Sequence, residues 1–478
     1  MRFSRRVVSI TLGVLAFALA VGGAFAAFDD WGLDQQTQLQ NKSQPLFGLG
    51  QPLTESSSAN LDKAQALANP AGLITVAKGL EVDVISAGKA APNLDQMVLW
   101  PASSPQYLIA CNEEGTGQPA LQRISLENGN ATTIATGITE CDPVRATPWG
   151  TVLFGEEASD GAMYEIVDPL NVTGATINRA TGASSSPNIG RVNAFGFLAF
   201  EGLVILPNGV TYFGDELAAG NGAPGGSIYK FVPSTPWSGG APITSLSQSP
   251  LKSGTTTAAG TVFGLRVGQG SNFGQGFSDG IGSWQTLTST PGQLLRPLAT
   301  TAKLTGYYRP EDYTPDATAL AGGQVKFCGN NTGRDPARFW GETICITDGT
   351  VATATAGTAV PQVQLLVQGS ADLNMPDNIA YQPGRGNWIL EEDGATGDFI
   401  DGPRNDDIWD CLPDGGDIDS LSDGCVRIAT LNDLDAESTG GFFDPSGQHY
   451  YVSIQHNSSG FGTILDITGW GSQGQGSK

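Results

Sequence analysis

One short pattern recurs along this chain and limits what it can fold into. A turn glycine is followed, six residues later, by a carboxylate at the end of an apolar strand: Gly150 to Glu156, Gly209 to Asp215 and Gly386 to Glu392. Weaker copies run from Pro105 to Cys111 (then Asn112 and Glu113), from Gly341 to Asp348 and from Gly447 to Gln455. Most are followed by a glycine-rich turn and another strand, as at 162–167 and 227–232. Six units of strand, acid, turn and strand predict an all-β fold, a six-bladed β-propeller, with the repeated strand innermost. A generic sandwich has no reason to place an acid at one end of one strand per unit. The propeller is expected over 76–470, with an irregular insertion at 232–310. Residues 27–75 read as an irregular N-terminal arm and 471–478 as a flexible tail.

Composition narrows the function. Lys plus Arg number 24 against 47 Asp plus Glu, a net charge of −23, and charged residues are only 15% of the chain. A nucleic-acid binder needs a basic face, so that class is excluded. With 40% apolar residues the chain can build a large core rather than remain disordered. Only two histidines occur, His449 and His456, so a His-rich zinc site and a Ser-His-Asp hydrolase are both hard to assemble.

Residues 1–26 read as an export signal. Arg2, Arg5 and Arg6 precede an apolar run from Val7 to Ala20 and an A-x-A site at 24–26. The paired arginines fit a twin-arginine leader, so the mature protein is expected in the periplasm or outside the cell, meeting the membrane only during export. Six cysteines in an oxidising compartment predict disulfides: Cys411 with Cys425 first, then Cys328 with Cys345 and Cys111 with Cys141.

The recurring acids carry the chemistry. Carboxylates converging from several strands of a propeller repel one another, and hard cations with oxygen ligands resolve that repulsion without histidine. His456, just after Gln455, can reach the channel mouth.

At 147–157 the sequence TPWGTVLFGEE resembles the T-P-W-G-T-x-L-x-C-E-E pattern of the PhoX-type alkaline phosphatases. Further matches follow in order: Phe200-Glu201-Gly202, Gly214-Asp215 with 228–232, Tyr308-Arg309-Pro310-Glu311, 375–380, 437–440 with 444–447, and 451–456. The resemblance spans about residues 90–465. It implies a six-bladed propeller that hydrolyses small phosphate monoesters with calcium and iron. Carried over position by position, Glu156, Glu157, Glu201, Glu311 and Glu437 are metal ligands and Arg309 clamps phosphate. Asn112, Glu113 and Asp377 are further candidates for ligands or for the shell behind them. The chain departs from the pattern twice: the cysteine of C-E-E is Gly155 and the histidine before Glu201 is Phe200. A thiolate for iron would then have to come from Cys141, and carboxylates alone fit calcium better. Two other functions suit the same features. One is a calcium-dependent lactonase-type hydrolase using Asn112, Asp377 and Asn378. The other is a non-enzymatic, calcium-stabilised surface propeller.

Overall fold

The computed structural model describes residues 36–220, 224–268, 279–333, 339–394, 404–415 and 419–471. The expected export signal and nearly all of the expected tail lie outside them. The fold is all-β and propeller-like, with few and short helices. It is organised by six antiparallel hairpins among the described residues. In chain order they join Leu94–Trp100 to Tyr107–Asn112, Cys141–Ala146 to Thr151–Glu156, Phe200–Ile205 to Thr211–Asp215, Pro310–Pro315 to Gln324–Asn331, Pro376–Tyr381 to Trp388–Glu392, and Glu437–Phe443 to Tyr450–Gln455. The first strand of each hairpin packs against the first strand of the hairpin before and after it, and the sixth returns to the first, so these strands form a closed ring.

This arrangement corrects the sequence reading in three ways. The repeated glycine-to-acid strand is not innermost: in five units it is the second strand of the hairpin, one step out from the ring. The copy starting at Gly341 is out of phase. Its strand, Glu342–Thr350, is third in its sheet, and Gln324–Asn331 takes the equivalent place. Residues 232–310 also contain two strands, Gly260–Val267 and Gly280–Leu287, which extend the sheet outward from Ile228–Pro233.

The described strands make five sheets, one of which has nine strands. That sheet contains the third and fourth hairpins. They are fused at their outer edges, where Gly280 and Ile281 pair with Val363 and Gln362. The sheet of the sixth hairpin is completed from the other end of the chain, by Glu81–Ala90 pairing with Gly462–Thr468. The arm packs alongside, and its strand Ile74–Val76 extends the fifth hairpin's sheet.

Apolar residues fill the spaces between neighbouring sheets. Leu94, Met97, Leu108, Ala110 and Ile124 of the first sheet, for example, close over Ile464 of the last. Each fully buried side chain of this size contributes about 1.5–3 kcal/mol. The three disulfides pair as expected: Cys111–Cys141, Cys328–Cys345 and Cys411–Cys425. The first links the first hairpin to the ring strand of the second.

Candidate functional site

Five of the six hairpins enter the ring through one local device. The residue before the ring strand is left-handed in four units: Asn93 (φ 59°), Glu140 (46°), Arg309 (56°) and Met375 (46°). In five units its carbonyl, or that of Ala199, accepts the N–H of the residue just past the second strand: Glu113, Glu157, Glu216, Thr332 and Asp393. The left-handed conformation costs about 1–2 kcal/mol per non-glycine residue, so the closed loop has to hold it. A register shift then follows within each ring strand, between Leu94 and Met97, Cys141 and Val144, Glu201 and Leu203, Pro310 and Tyr313, Pro376 and Ile379, and Thr439 and Phe442. Such bulges break the alternation of a strand and re-aim its side chains. Two shifts need glycine. A Cβ on Gly202 (φ 23°) would lie 2.3 Å from the Tyr313 nitrogen, and one on Gly440 (φ 63°) 2.4 Å from the Asp95 oxygen.

The device delivers acids to one end of the ring. A cavity of about 220 Å³ is lined by Asp95, Asp142, Glu201, Glu311, Asp377 and Glu437 from the six ring strands. Glu113, Glu157 and Asp393, each one residue past a second strand, join them, as do Gln455, His456 and Arg309. Nine carboxylates thus face one arginine. Among them, Asp377, Asp393 and Glu437 can each present an oxygen within 4.8 Å of the other two.

The structure brings seven of the sequence-derived candidates to this cavity: Glu113, Glu157, Glu201, Arg309, Glu311, Asp377 and Glu437. It places two elsewhere. Glu156 pairs in register with Cys141 and turns away from the cavity. Its carboxylate accepts from the Thr139 and Ala162 N–H groups and from Arg179 Nε at 2.6 Å, so it anchors the hairpin outside the cavity that Glu157 lines. Asn112 occupies the same register position in the first hairpin and donates from Nδ2 to the Pro119 carbonyl. Asp215 and Glu392 follow the same rule, paired with Arg296 and Arg404. At the first, second and fifth hairpins the end of the second strand is therefore the buried brace, and the residue after it, Glu113, Glu157 or Asp393, lines the cavity.

Sequence reasoning missed Asp95, Asp142 and Asp393. A usable signal was present: the ring strand carries its acid one residue past an apolar position in Leu94-Asp95, Cys141-Asp142, Phe200-Glu201, Pro310-Glu311 and Pro376-Asp377.

Burial dominates the electrostatics. It raises the pKa of Glu113, Asp142, Glu201, Glu311, Asp377 and Glu437 well above the carboxylate range, and neighbouring acids push the same way. Asp95 rises to about 6, burial outweighing the hydroxyl of Thr439 that donates to it. Glu157 rises to about 7, again through burial. Crowded carboxylates of this kind must bind protons or cations. Asp142 Oδ2 is buried and has no hydrogen-bond partner.

Arg309 sits among the acids, its Nε 2.8 Å from Glu216 and one Nη 3.2 Å from Glu311 and 3.3 Å from Asp393. Burial acts to lower its pKa, but Glu311, Asp393, Glu216 and Asp377 together raise it well above the ordinary value. His456 lies at the rim, 3.9 Å from Glu437. Cys141, the other cysteine considered as a source of a thiolate, is in a disulfide. A Cβ on Gly155 would meet Met163 Sδ at 2.2 Å, and Phe200 is core, packed on Phe213.

Comparison of the sequence with protein-family models and with curated proteins found no match. Among solved structures, the chain is similar to Pseudomonas fluorescens PhoX in complex with vanadate, a transition state analogue. The TM-score is 0.59 at 16% identity, covering 88% of this chain and 99% of that one. Two weaker likenesses are a glucose dehydrogenase (TM-score 0.42, 12% identity, 81% and 99% covered) and the apo-form soluble aldose sugar dehydrogenase of Escherichia coli (0.40, 10%, 81% and 99%). At these identities the likeness to the PhoX structure is one of fold, and it places this chain among propeller-like proteins.

Proposed function

We propose that this chain is a six-bladed propeller whose ring of acids holds hard cations, calcium above all, and that it hydrolyses small phosphate monoesters. Each hairpin with its outer strands is read as one blade, the nine-stranded sheet being two blades joined at their rims. The observation that carries the reading is the convergence of nine carboxylates, five of them buried, on one cavity that also contains one arginine.

The donor set favours calcium. It offers carboxylate oxygens from every hairpin, with Asp142 Oδ2 left without a partner, and calcium takes six to eight such ligands. Glu157, Glu201, Glu311, Asp377 and Glu437 are the ligands proposed, with Glu113, Asp95, Asp142 and Asp393 beside them. The set does not suit iron held by a thiolate, because Cys141 is in a disulfide and Met163 fills the space beside Gly155. Cations bound here would polarise the phosphoryl oxygens and activate water.

The chain's own contribution is Arg309. A planar guanidinium suits the equatorial oxygens of a phosphoryl group. Without cations its fork is occupied by Glu216, Glu311 and Asp393. Neutralising Glu311 and Asp393 frees it for an anionic substrate. The vanadate complex of the PhoX structure supports a phosphoryl site in this fold. The lactonase-type alternative is disfavoured by its amides: Asn378 Oδ1, the atom a cation would take, accepts from the Gly440 N–H, and Asn112 does not line the cavity.

Three disulfides suit a periplasmic or extracellular setting. No described helix is long and apolar enough to cross a membrane. The test is purified protein assayed on a chromogenic phosphate ester with calcium and with iron supplied. Turnover in calcium that Arg309→Lys lowers by about 10²–10³-fold is expected. Calcium binding with no turnover above that variant would replace the phosphatase with a non-enzymatic calcium propeller.

A further inference from the structure

Below the acid cavity, Arg145 crosses the ring. It lies in the second hairpin's ring strand, three residues past Asp142. One Nη donates to Gln96 Oε1 at 2.5 Å, and the other to Asp312 Oδ1 at 2.5 Å and to the Tyr313 carbonyl at 3.4 Å. Gln96 belongs to the first hairpin and Asp312 to the fourth. In a closed cycle of six these two face each other, so one guanidinium ties opposite walls together. Gln96 directly follows Asp95 and Asp312 directly follows Glu311, and both acids line the cavity. Arg145 does not line it, and its side chain stays 23% exposed, against 2% for Asp312.

We propose that Arg145 is a positioning residue that sets the width of the cation cavity and so selects the bound ion by size. The inference rests on the cation reading above. A second observation beyond the cluster of acids points to a ligand: Asp142 Oδ2, on the same strand as Arg145, is buried at the cavity with no N–H or hydroxyl donating to it. Selection between calcium and smaller or larger cations depends on the size and rigidity of the oxygen cage. A cross-brace one residue below Asp95 and Glu311 fixes the spacing of those carboxylates with Asp142. The planar fork matters, because lysine is a point charge on a flexible stem and cannot hold two walls at once.

Charge alone predicts something different. Removing a cation next to the cavity would strengthen the binding of all divalent ions alike, whereas loosening a brace changes their order. The experiment compares the purified protein with Arg145→Lys and with the double variant Arg145→Met/Asp312→Leu. The double variant removes both charges and leaves no buried carboxylate unpaired. Dissociation constants for magnesium, calcium and strontium are measured by calorimetric titration, and melting is followed in chelator. The unaltered protein is expected to prefer calcium. In both variants the ratios of calcium affinity to magnesium and strontium affinity should fall about tenfold, the usual scale for residues that orient ligands. The double variant should melt in chelator close to the unaltered protein. Unchanged ratios, or an equal change for all three ions, would overturn the proposal. If the unaltered protein bound none of the three, the cation reading itself would fall, and the role of Arg145 with it.

Discussion

Arg309 is both the strained entry to the fourth ring strand and the single arginine facing the acids. Its two neighbours explain the coincidence. Pro310 fixes the backbone that follows, and Glu311 is one of its ion-pair partners. Arg309→Lys keeps the charge and loses the fork. Turnover should fall by about 10²–10³-fold, the range for losing one preorganised donor, while calcium content by elemental analysis stays unchanged. Glu311→Gln should lower both. Equal turnover in Arg309→Lys would remove the clamp from the mechanism. The acids make a second prediction, on pH. Asp95 and Glu157, at about 6 and about 7, titrate above the ordinary carboxylate range because they are buried. Between about pH 4 and pH 7 the folded chain therefore holds more protons than the unfolded one. Cation-free protein should lose stability as pH rises through that window, and calcium should suppress the loss by replacing the protons. Scanning calorimetry from pH 5 to 8, in chelator and in calcium, checks this. A flat profile in chelator would contradict it.

At the scale of elements, the strand that repeats most visibly in the sequence is the one whose pattern is regular. Thr151–Glu156, Thr211–Asp215 and Trp388–Glu392 read as apolar runs between a turn glycine and an acid, and all three are buried second strands. The ring strands were hidden because the bulge breaks their alternation. In Leu94-Asp95-Gln96 and Pro376-Asp377-Asn378 two polar residues follow one another where a strand should switch faces, so each segment looks like a turn. The consequence was a displacement by one residue at the second hairpin, where Glu156 seemed as good a ligand as Glu157. Only the hydrogen bonds to Thr139, Ala162 and Arg179 separate them. The missing cysteine is explained at this scale too. Met163, fully buried in the adjacent strand, fills the space that a side chain at 155 would need. Gly155→Cys should cost about 1–3 kcal/mol of stability, the price of overpacking, and adding Met163→Ala should recover part of it. Urea unfolding midpoints measure both, and an unaltered midpoint for the single variant would refute the steric account.

Across the whole molecule, every hairpin contributes an acid to one cavity, so a bound cation is linked to all of them at once. Chelation should lower the melting temperature. A ligand that binds only the folded state at a hundredfold excess over its Kd stabilises it by about 2.7 kcal/mol, and without it the carboxylates repel. Melting that is indifferent to exhaustive chelation would dismiss the cation centre. The closure of the ring has another consequence. The strand Glu81–Ala90 finds its partner only in Gly462–Thr468, nearly four hundred residues later. A growing polypeptide can thus stack its sheets one after another as it leaves the ribosome, but it cannot join the first to the last until Gly462–Thr468 has emerged. Glu437, Gln455 and His456 arrive just before that moment. The cavity is therefore assembled once, after its sixth hairpin has emerged, and any ion it takes up is drawn from the solution around a ring that has already closed.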